Sequence, residues 1–291
     1  MKEKKIQHKL EYFLLEFFIW FLSRLSTRFS YSICRFLGCF AYYFFPMRKM
    51  TAFYNLKRVL PDKSDIDIFK VVKSVYINSV YFFLESVIHT RLLKETPPKI
   101  VGLENLKKAY QKNKGVVLYT AHIGNWHMMG HQLVAEDLPL NNLVKRQRNS
   151  RVFDKEVEAM IESGMKVTIL QKTPKNIFKA LKNGNVVEFL ADQDAGKEGV
   201  FVDFFGLPAS TAIGPALFSL KMGTPLIFAV DIRQADLSHT IYIEEVGFIP
   251  TDDQEKDVYL LTEILTKKLE KYIIKHPDQY FWLHKRWLTR P

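Results

Sequence analysis

The sequence predicts an α/β protein whose mostly parallel sheet is covered by helices, with a helical, membrane-associated segment at its N-terminus. After Pro98, short apolar runs of strand length alternate with segments of helical periodicity, as in parallel sheets with crossover helices. Before Pro97 the periodicity is helical throughout. We therefore predict two regions, a helical membrane-associated region over residues 1–98 and one α/β domain over residues 99–291.

The N-terminal part carries two aromatic-rich apolar blocks, over residues 10–22 and 36–46, with arginines between them. The first block contains Glu11 and Glu16 and lacks a small-residue cleavage site, so it does not resemble a secretory signal. A spanning helix needs about 20 mostly apolar residues, and each block is shorter than that. The pattern favours helices in the membrane interface, with a single tilted anchor or ordinary core helices as alternatives.

Turn signals divide the helical pattern over residues 51–95. One helix is predicted to end at Pro61, and Ser64 supplies an N-cap for a second helix whose apolar residues recur at helical spacing. Pro97 and Pro98 close this region, because proline lacks the backbone N–H that a helix or sheet needs. They are the predicted linker into the α/β domain.

The α/β domain is predicted to contain five strands and five helices. The strands lie near 116–121, 141–146, 166–170, 186–191 and 225–231, and the helices near 124–136, 152–163, 174–183, 213–222 and 255–275. The carboxyl ends of parallel strands meet at one edge of the sheet, where open α/β sheets bind ligands. Polar residues that directly follow a strand are therefore the first candidates for a site.

Composition and charge narrow the function classes. Hydrophobic residues make up 47% and aromatic residues 14% of the chain, which is ample material for a core and for a membrane-facing surface. The net charge of +11 implies attraction to nucleic acid, anionic lipid headgroups, phosphorylated substrates or an acidic carrier protein. We do not expect nucleic acid as a partner, because no basic run with interleaved aromatics and no zinc-finger or RRM signature is present.

His122 is the leading candidate for a general base. It follows the apolar run VVLYTA and precedes a predicted helix, whose free N–H groups would point back at this strand end and stabilise an anion there. Gly124 and Asn125 allow the tight strand-to-helix turn that this arrangement needs. A histidine after a strand is also commonly structural, and that alternative stays open.

Two aspartates, Asp192 and Asp194, follow the apolar run VVEFLA in the same way. Gly196 and Gly199 then permit a loop in which the backbone approaches a ligand closely. Asp-x-Asp often belongs to a divalent-cation site, but the following loop offers few further oxygen ligands. We therefore predict a polar role in a substrate site in preference to metal binding.

Ser210 and Thr211 precede the helix predicted to begin near residue 213. Their position predicts side-chain capping of that helix. It also predicts an anion-binding helix start that faces the same cleft as His122.

The C-terminal segment HPDQYFWLHKRW, residues 276–287, mixes aromatic residues with His284, Lys285 and Arg286. Such a segment suits a cap on the hydrophobic core. It suits a lipid–water boundary equally well, because aromatic and cationic side chains are enriched there.

Several blocks of the sequence carry a resemblance to a known family. They read AHIGNWH, DQDAG-x4-FVDFFG-x-PAST-x2-GPA and HPDQYFWLHKRW, in this order along the chain. With YNLKRVLP before them and KRQRNSRVFD at 145–154, they resemble the lipid A biosynthesis acyltransferases, the lauroyl/myristoyl transferase family within the lysophospholipid acyltransferase superfamily. The resemblance covers nearly the whole chain, and the joint order of the blocks makes it specific.

The resemblance implies a glycerolipid-acyltransferase-like fold at the cytoplasmic face of the inner membrane of a Gram-negative bacterium, with residues 99–291 as the catalytic domain. Members transfer an acyl chain from acyl carrier protein, less often from coenzyme A, to a hydroxyl of a phosphorylated glycolipid. The acceptor is usually a lipid A precursor, although related branches acylate mannosylated phosphoinositides. The implied partners are acyl carrier protein, the anionic glycolipid and the membrane, with no metal and no organic cofactor.

The resemblance also implies roles for individual residues. His122 matches the family's catalytic histidine, and a neutral imidazole is suited to take the proton of the acceptor hydroxyl as it attacks the thioester. Arg146 matches the family's cationic position better than Arg148 does. The residues expected to bind substrate are Asn125, Arg146, Asp194, Gly196, Ser210 and Thr211.

The chain departs from the family pattern at His127, where the family carries an Asp or Glu that orients the catalytic histidine. A second imidazole can accept one N–H bond, so His127 is predicted as the alternative to Asp192 for orienting His122, but it supplies no negative charge. Three hypotheses follow. Asp192 takes over, which requires its carboxylate to lie near the His122 ring; or the substitution leaves a catalytically impaired lipid-binding protein; or His122 and His127 bind a metal ion together with an aspartate.

Overall fold

The computed structural model describes residues 13, 16–146, 149–170, 174–251 and 253–291, and only the backbone at 151, 152 and 156. Its centre is a seven-stranded sheet in the order β1-β9-β8-β2-β5-β3-β4. Every neighbouring pair in this sheet is parallel except β8 and β9, which are antiparallel. The predicted α/β class with a mostly parallel sheet is confirmed.

The strands of this sheet alternate with helices along the chain, and a separate two-stranded hairpin is formed by β6 and β7. The strands are β1 (Lys99–Val101), β2 (Val116–Thr120), β3 (Leu140–Val144), β4 (Lys166–Ile169), β5 (Val186–Leu190), β6 (Val200–Phe204), β7 (Leu207–Thr211), β8 (Leu226–Arg233) and β9 (His239–Glu245). The helices are Thr27–Phe44, Lys49–Val59, Asp65–Glu95, Leu103–Gln111, Trp126–Ala135, Ser150–Glu162, Lys175–Lys182, Gly214–Met222 and Gln254–Lys275, and residues 16–24 are also helical.

The five predicted strands correspond to β2, β3, β4, β5 and β8, and the five predicted helices of this part are also present, all with ends within two residues of the prediction. The prediction missed β1, β9, the Leu103–Gln111 helix and the β6–β7 hairpin. The hairpin turns at Phe205 and Gly206, which both have positive φ, as a tight two-residue hairpin turn requires. No strand was predicted between residues 191 and 225.

The N-terminal helices share a hydrophobic core with the sheet. Ser64 caps the Asp65–Glu95 helix as predicted, since its hydroxyl accepts a hydrogen bond from the N–H of Asp67 at 3.2 Å. Leu56 and Val72 from these helices belong to the same buried apolar cluster as Val117 of the sheet. The division of the chain at residue 98 into two domains stays a prediction.

Among the described residues, one helix is long and apolar enough to cross a membrane by length and composition, and it is Asp65–Glu95. It lies in neither of the two blocks from which membrane contact was predicted. The second block falls in the Thr27–Phe44 helix and exposes aromatic side chains, among them Phe36 at 68% and Phe44 at 66%. Much of the first block, up to residue 12, lies outside the described residues.

Candidate active site

The first element of the site is His122, two residues beyond the end of β2. This strand is buried along its whole length because it pairs with β5 on one side and β8 on the other. The chain emerges from the sheet at His122, whose side chain is 21% exposed. Gly124 follows with a φ of +58°, and a Cβ there would lie 1.6 Å from the carbonyl oxygen of Asp231, so the turn requires glycine.

The second element is Asp192, which lies beside His122 because β2 and β5 are parallel neighbours. Their register pairs Thr120 with Leu190, so the positions two residues further on emerge side by side at the sheet edge. His122 Nδ1 lies 2.7 Å from Asp192 Oδ1, which is hydrogen-bonding distance. The requirement of the first hypothesis, a carboxylate near the His122 ring, is therefore met.

The charge of Asp192 follows from its surroundings. Asp192 is 2% exposed, and this burial disfavours its ionised carboxylate. The adjoining His122 and the nearby Arg286 outweigh the effect of burial and hold the pKa of Asp192 below its usual value. An ionised carboxylate only accepts hydrogen bonds, so His122 donates its Nδ1–H. The lone pair then resides on Nε2, which makes no hydrogen bond to any residue the structure describes.

The C-terminal segment closes the site from one side. The N–H of Phe281 donates to the carbonyl of His122 at 2.9 Å, and the hydroxyl of Tyr280 donates to the carbonyl of Asp192 at 3.3 Å. Arg286 is 2% exposed and donates to the carbonyl of Ser210 at 2.6 Å. The segment is thus a core cap at this point, which was one of its two predicted roles.

His127 does not take the place of an orienting carboxylate. Its Nδ1 lies 3.3 Å from the hydroxyl of Ser86, and its ring centre lies 5.1 Å from that of Phe82. Burial, together with the neighbouring His89, lowers the pKa of His127 to about 4, so its ring is neutral near pH 7. Of the two residues predicted to orient His122, only Asp192 is bonded to it in the described structure.

The third hypothesis was a metal ion bound by His122 and His127 together with an aspartate. In the part of the chain that the structure describes, no group of three or more His, Cys, Asp or Glu side chains is placed to hold a metal ion. His122 donates its Nδ1–H to Asp192, while His127 contacts Ser86 of the Asp65–Glu95 helix.

Asn125 has a structural position. It is fully buried, it caps the Trp126–Ala135 helix by accepting from the N–H of Met128 at 3.0 Å, and it donates to Glu85 at 2.8 Å. Glu85 in turn is paired with Arg233. The amide that was predicted to bind substrate therefore fixes the helix that follows His122.

The prediction that Ser210 and Thr211 cap the following helix was wrong. They lie in β7 and not at a helix start, and the Gly214–Met222 helix has Ile213 at its N-cap with no side-chain capping bond. Both residues are buried, and the hydroxyl of Ser210 donates to the carbonyl of Gly196 at 2.6 Å. The missed hairpin explains the error, because a strand occupies the residues that were assigned to the cap.

The loop after Asp192 is likewise held by contacts within the protein. The carboxylate of Asp194 accepts from the N–H of Thr289 at 3.0 Å and from its hydroxyl at 2.9 Å, and also from the N–H of Gly196 at 3.2 Å. A Cβ on Gly199 would lie 2.8 Å from the carbonyl oxygen of Thr211, so this glycine allows close approach to β7. The substrate roles of Asp194 and Gly196 stay predictions.

Arg146 follows the end of β3 and is exposed. Its guanidinium carbon lies 5.8 Å from the ring centre of Phe153. It does not line the cleft that contains His122, so its role also stays a prediction. Arg148 lies outside the described residues.

A cleft of about 330 Å³ opens at His122, between the Asp65–Glu95 helix and the C-terminal segment. Its apolar lining comes from Val75, Phe82, Trp126 and Phe281, while Gln193 and Arg233 are among its polar residues. Sequence reasoning missed these lining residues. The signal for Arg233 was present, since Asp231 and Arg233 are the two charged residues at the end of the otherwise apolar strand LIFAVDIR.

A partly exposed histidine, held by a buried carboxylate and facing a largely apolar cleft at the carboxyl edge of a parallel sheet, defines a class of protein. It is an α/β protein with a His–Asp pair beside a largely apolar cleft, an arrangement suited to general-base chemistry on a substrate that has an apolar part.

Comparison with known proteins identifies the family of the chain. The model of the family described as bacterial lipid A biosynthesis acyltransferase matches residues 1–289. The chain belongs to this family. The resemblance noted from the sequence motifs is therefore confirmed.

Individual relatives differ in how much they share with the chain. It is 30% identical over 202 residues to the lipid A biosynthesis palmitoleoyltransferase of Escherichia coli (strain K12), across 66% of this chain and 62% of that protein. It is 25% identical over 283 residues to the lipid A biosynthesis lauroyltransferase of the same strain, across 94% and 90%. It is 27% identical over 217 residues to the phosphatidylinositol mannoside acyltransferase of Mycobacterium tuberculosis (strain ATCC 25618 / H37Rv), across 72% and 66%. The match thus spans less than two thirds of the palmitoleoyltransferase.

Proposed function

We propose that this protein transfers a fatty acyl chain from acyl carrier protein, or from coenzyme A, to a hydroxyl of a phosphorylated glycolipid, with a lipid A precursor as the acceptor. The observation that carries the proposal is the 2.7 Å contact between His122 Nδ1 and Asp192 Oδ1 beside an apolar cleft. The names of the relatives support acyl transfer to a glycolipid as the general reaction.

The proposed chemistry begins with proton transfer. A sugar or acyl-chain hydroxyl is a weak acid near pH 7, so it must lose its proton as its oxygen attacks the thioester carbon. Nε2 of His122 takes this proton, and the imidazolium that forms is stabilised by the Asp192 carboxylate on the other nitrogen. Collapse of the tetrahedral intermediate breaks the carbon–sulfur bond, and the departing thiolate receives the proton from the imidazolium.

The lining of the cleft supports an acylated substrate. Phe82, Trp126 and Phe281 present aromatic surface next to His122, with ring centres of His122 and Trp126 4.8 Å apart. Apolar walls exclude water, which would otherwise compete with the acceptor hydroxyl for the thioester. Burial of methylene groups against such walls contributes about 0.8 kcal/mol each, so the acyl chain itself provides binding energy.

The charge of the chain supports anionic partners. At +11 it would attract the phosphates of a glycolipid and the surface of an acidic carrier protein. Arg146 is exposed beyond β3, at the carboxyl edge of the sheet, where β2 also ends. We assign it to substrate phosphates or to the phosphopantetheine of the carrier.

The proposed location is the cytoplasmic face of the inner membrane. The Thr27–Phe44 helix exposes several aromatic side chains, and the Asp65–Glu95 helix meets the length and hydropathy of a span while also contributing residues to the buried core. Exposed aromatic residues of this kind are typical of the membrane interface. We therefore propose contact with the interface through the Thr27–Phe44 helix.

The test is acyl transfer by the purified protein. It is incubated with acyl carrier protein or coenzyme A thioesters and a lipid A precursor, and mass spectrometry measures the gain of one acyl group. The matched control is His122→Gln, which keeps a polar side chain of similar length. Transfer by the wild type and loss in the control support the proposal. Retention of the glycolipid without transfer above the control would show the impaired, lipid-binding alternative.

A further inference from the structure

A second cleft, of about 270 Å³, lies between the Lys49–Val59 helix and the C-terminal segment. We call it the basic cleft and define it by six of its lining residues, which are Tyr54, Arg58, Lys285, Trp287, Leu288 and Arg290. Three of these are cations, and no Asp or Glu side chain is among the residues that line it. It shares no lining residue with the cleft at His122.

Buried contacts fix the geometry of the basic cleft. Asn55 is 3% exposed, and its amide donates to the carbonyl of Trp282 at 3.0 Å and to that of His284 at 2.8 Å. Arg48 donates to the carbonyl of Leu283 at 3.3 Å. These bonds hold the helix that carries Arg58 against the segment that carries the other two cations.

The three cations of the basic cleft have no acidic partner among the residues that the structure describes. Arg58, Lys285 and Arg290 are exposed, and none forms an ion pair with a carboxylate in the described part of the chain. By contrast, the neighbouring Lys57 is paired with Asp65 at 3.1 Å. Cations gathered without a counter-charge repel one another, and a bound anion with several acceptor oxygens relieves that repulsion.

Apolar side chains lie beside these charges. Met50, Tyr54 and Arg58 follow one another at four-residue spacing, so they form a single stripe along one face of the helix. Met50 is 45% exposed, Tyr54 is 57% exposed and Leu288 is 63% exposed. A free phosphate or an acidic protein surface would account for the cations but not for exposed apolar groups next to them, whereas a bilayer surface accounts for both.

We propose that the basic cleft binds the phosphate headgroup of an anionic lipid in the bilayer surface, with Met50, Tyr54 and Leu288 in the interfacial layer. Arg58 lies with its guanidinium carbon 5.6 Å from the ring centre of Trp287, which holds it at the cleft. The proposal concerns lipid binding and does not depend on acyl transfer.

The experiment measures partition of the full-length protein onto vesicles of phosphatidylcholine with phosphatidylglycerol and onto vesicles of phosphatidylcholine alone. The test variant combines Arg58→Gln, Lys285→Gln and Arg290→Gln. Each cation near an anionic bilayer contributes about fivefold in partition, so the three together are expected to lower binding to the anionic vesicles on the order of 10²-fold. The matched control combines Lys175→Gln, Lys179→Gln and Lys182→Gln, which removes three exposed cations from another helix.

The control variant is expected to bind the anionic vesicles within about threefold of the wild type, since its charges do not form a site. Equal losses in the two variants would mean that net charge alone attracts the protein, and would overturn the proposal. Unchanged binding of the test variant to the anionic vesicles would also overturn the proposal. If that variant instead lost binding to acyl carrier protein, the cleft would bind the carrier and not the lipid. Unchanged vesicle binding of the test variant together with a loss of its binding of inorganic phosphate would identify free phosphate as the ligand instead.

Two further measurements separate this result from folding and from catalysis. A second variant, Met50→Ser with Leu288→Ser, is expected to weaken partition onto both kinds of vesicle, because it removes apolar contact and leaves the charges. Thermal unfolding and acyl transfer to a detergent-dispersed acceptor are expected to stay unchanged in all three variants, since every substituted residue is exposed and lies outside the cleft at His122.

Discussion

The protein contains two His–Asp pairs with nearly the same hydrogen bond and different surroundings. His122 Nδ1 lies 2.7 Å from Asp192, and His239 Nδ1 lies 2.6 Å from Asp231. The side chain of His122 is 21% exposed, whereas that of His239 is 2% exposed. The first pair opens onto a cleft and the second is sealed inside the protein beside Glu85.

The chemistry open to each pair depends on Nε2, the ring nitrogen that is not bonded to the aspartate. Nε2 of His239 lies 3.5 Å from Glu85, so carboxylates face both sides of that ring. Burial opposes its protonation, but Asp231 and Glu85 together raise the pKa of His239 to about 10, so it is a cation near pH 7 and has no lone pair to offer. A His–Asp contact therefore marks a base only where the second nitrogen faces a substrate site.

The largest expected effect separates the two histidines by activity. His122→Gln removes the proposed base and is expected to lower kcat by about 10⁴-fold or more, because base assistance and thiolate protonation are both lost. His239→Gln is expected to leave kcat per folded molecule within about threefold of the wild type. The measurement is steady-state acyl transfer at saturating substrate, with the folded fraction taken from circular dichroism. Equal losses of activity in the two variants would refute the contrast.

The next effect concerns the carboxylates. Asp192→Asn keeps the shape but loses the charge that stabilises the imidazolium, and an amide can impose the wrong tautomer on the ring. We expect kcat to fall by about 10²–10⁴-fold with little change in KM. Asp231→Asn is the matched substitution in the sealed pair and is expected to change stability and not kcat. If Asp192→Asn kept the kcat of the wild type, Asp192 would not be the residue that supports His122.

These contrasts show how far the sequence alone could lead. His122 and Asp192 were predictable because each follows an apolar strand and parallel strands end at the same edge of a sheet. Their pairing depends on β2 and β5 being neighbours, although β3 and β4 lie between them in the sequence. Alternation of strands and helices does not report that order.

Other parts of the site could not be predicted from the sequence because they depend on residues that are far apart along the chain. Glu85 and Arg233 are separated by 148 positions in the chain, and nothing local in either segment indicates the partner. Glu85 also accepts from the amide of Asn125, whose contacts are with the scaffold, and the substrate role predicted for this amide stays a prediction. Ser210 was misassigned because a short hairpin with a Phe-Gly turn resembles a loop when it is read without its tertiary contacts.

The third expected effect is a pH dependence of stability that belongs to the sealed pair. The folded-state pKa of His239, about 10, lies above its ordinary value of 6.5, so the folded protein binds the proton more tightly than the unfolded chain. Its contribution is fully present below pH 6.5 and is lost as the pH rises towards 10. We expect the unfolding free energy to fall by at most about 1.4 kcal/mol per pH unit in that window.

The measurement is chemical denaturation of the wild type and of His239→Gln between pH 7 and pH 10, which lies within the window set by the two pKa values. The variant starts less stable, since it leaves Asp231 and Glu85 buried beside a neutral side chain, at a cost of about 3–5 kcal/mol. Its stability is expected to vary less with pH than that of the wild type. Parallel curves for the two proteins would show that His239 is not the titrating group.

The smallest expected effect concerns His127, where the motif resemblance implies that family members carry an Asp or Glu. His127→Glu restores the family's residue type, yet His122 already has its carboxylate at 2.7 Å, and the ring of His127 contacts Phe82 and Ser86 instead. The new carboxylate would be placed in surroundings that lower the pKa of a histidine to about 4 by burial, so they would disfavour its ionised form as well. We therefore expect kcat to stay within about threefold of the wild type or to fall. A rise of tenfold or more would mean that Asp192 does not replace the family's carboxylate and that the natural protein is an impaired enzyme.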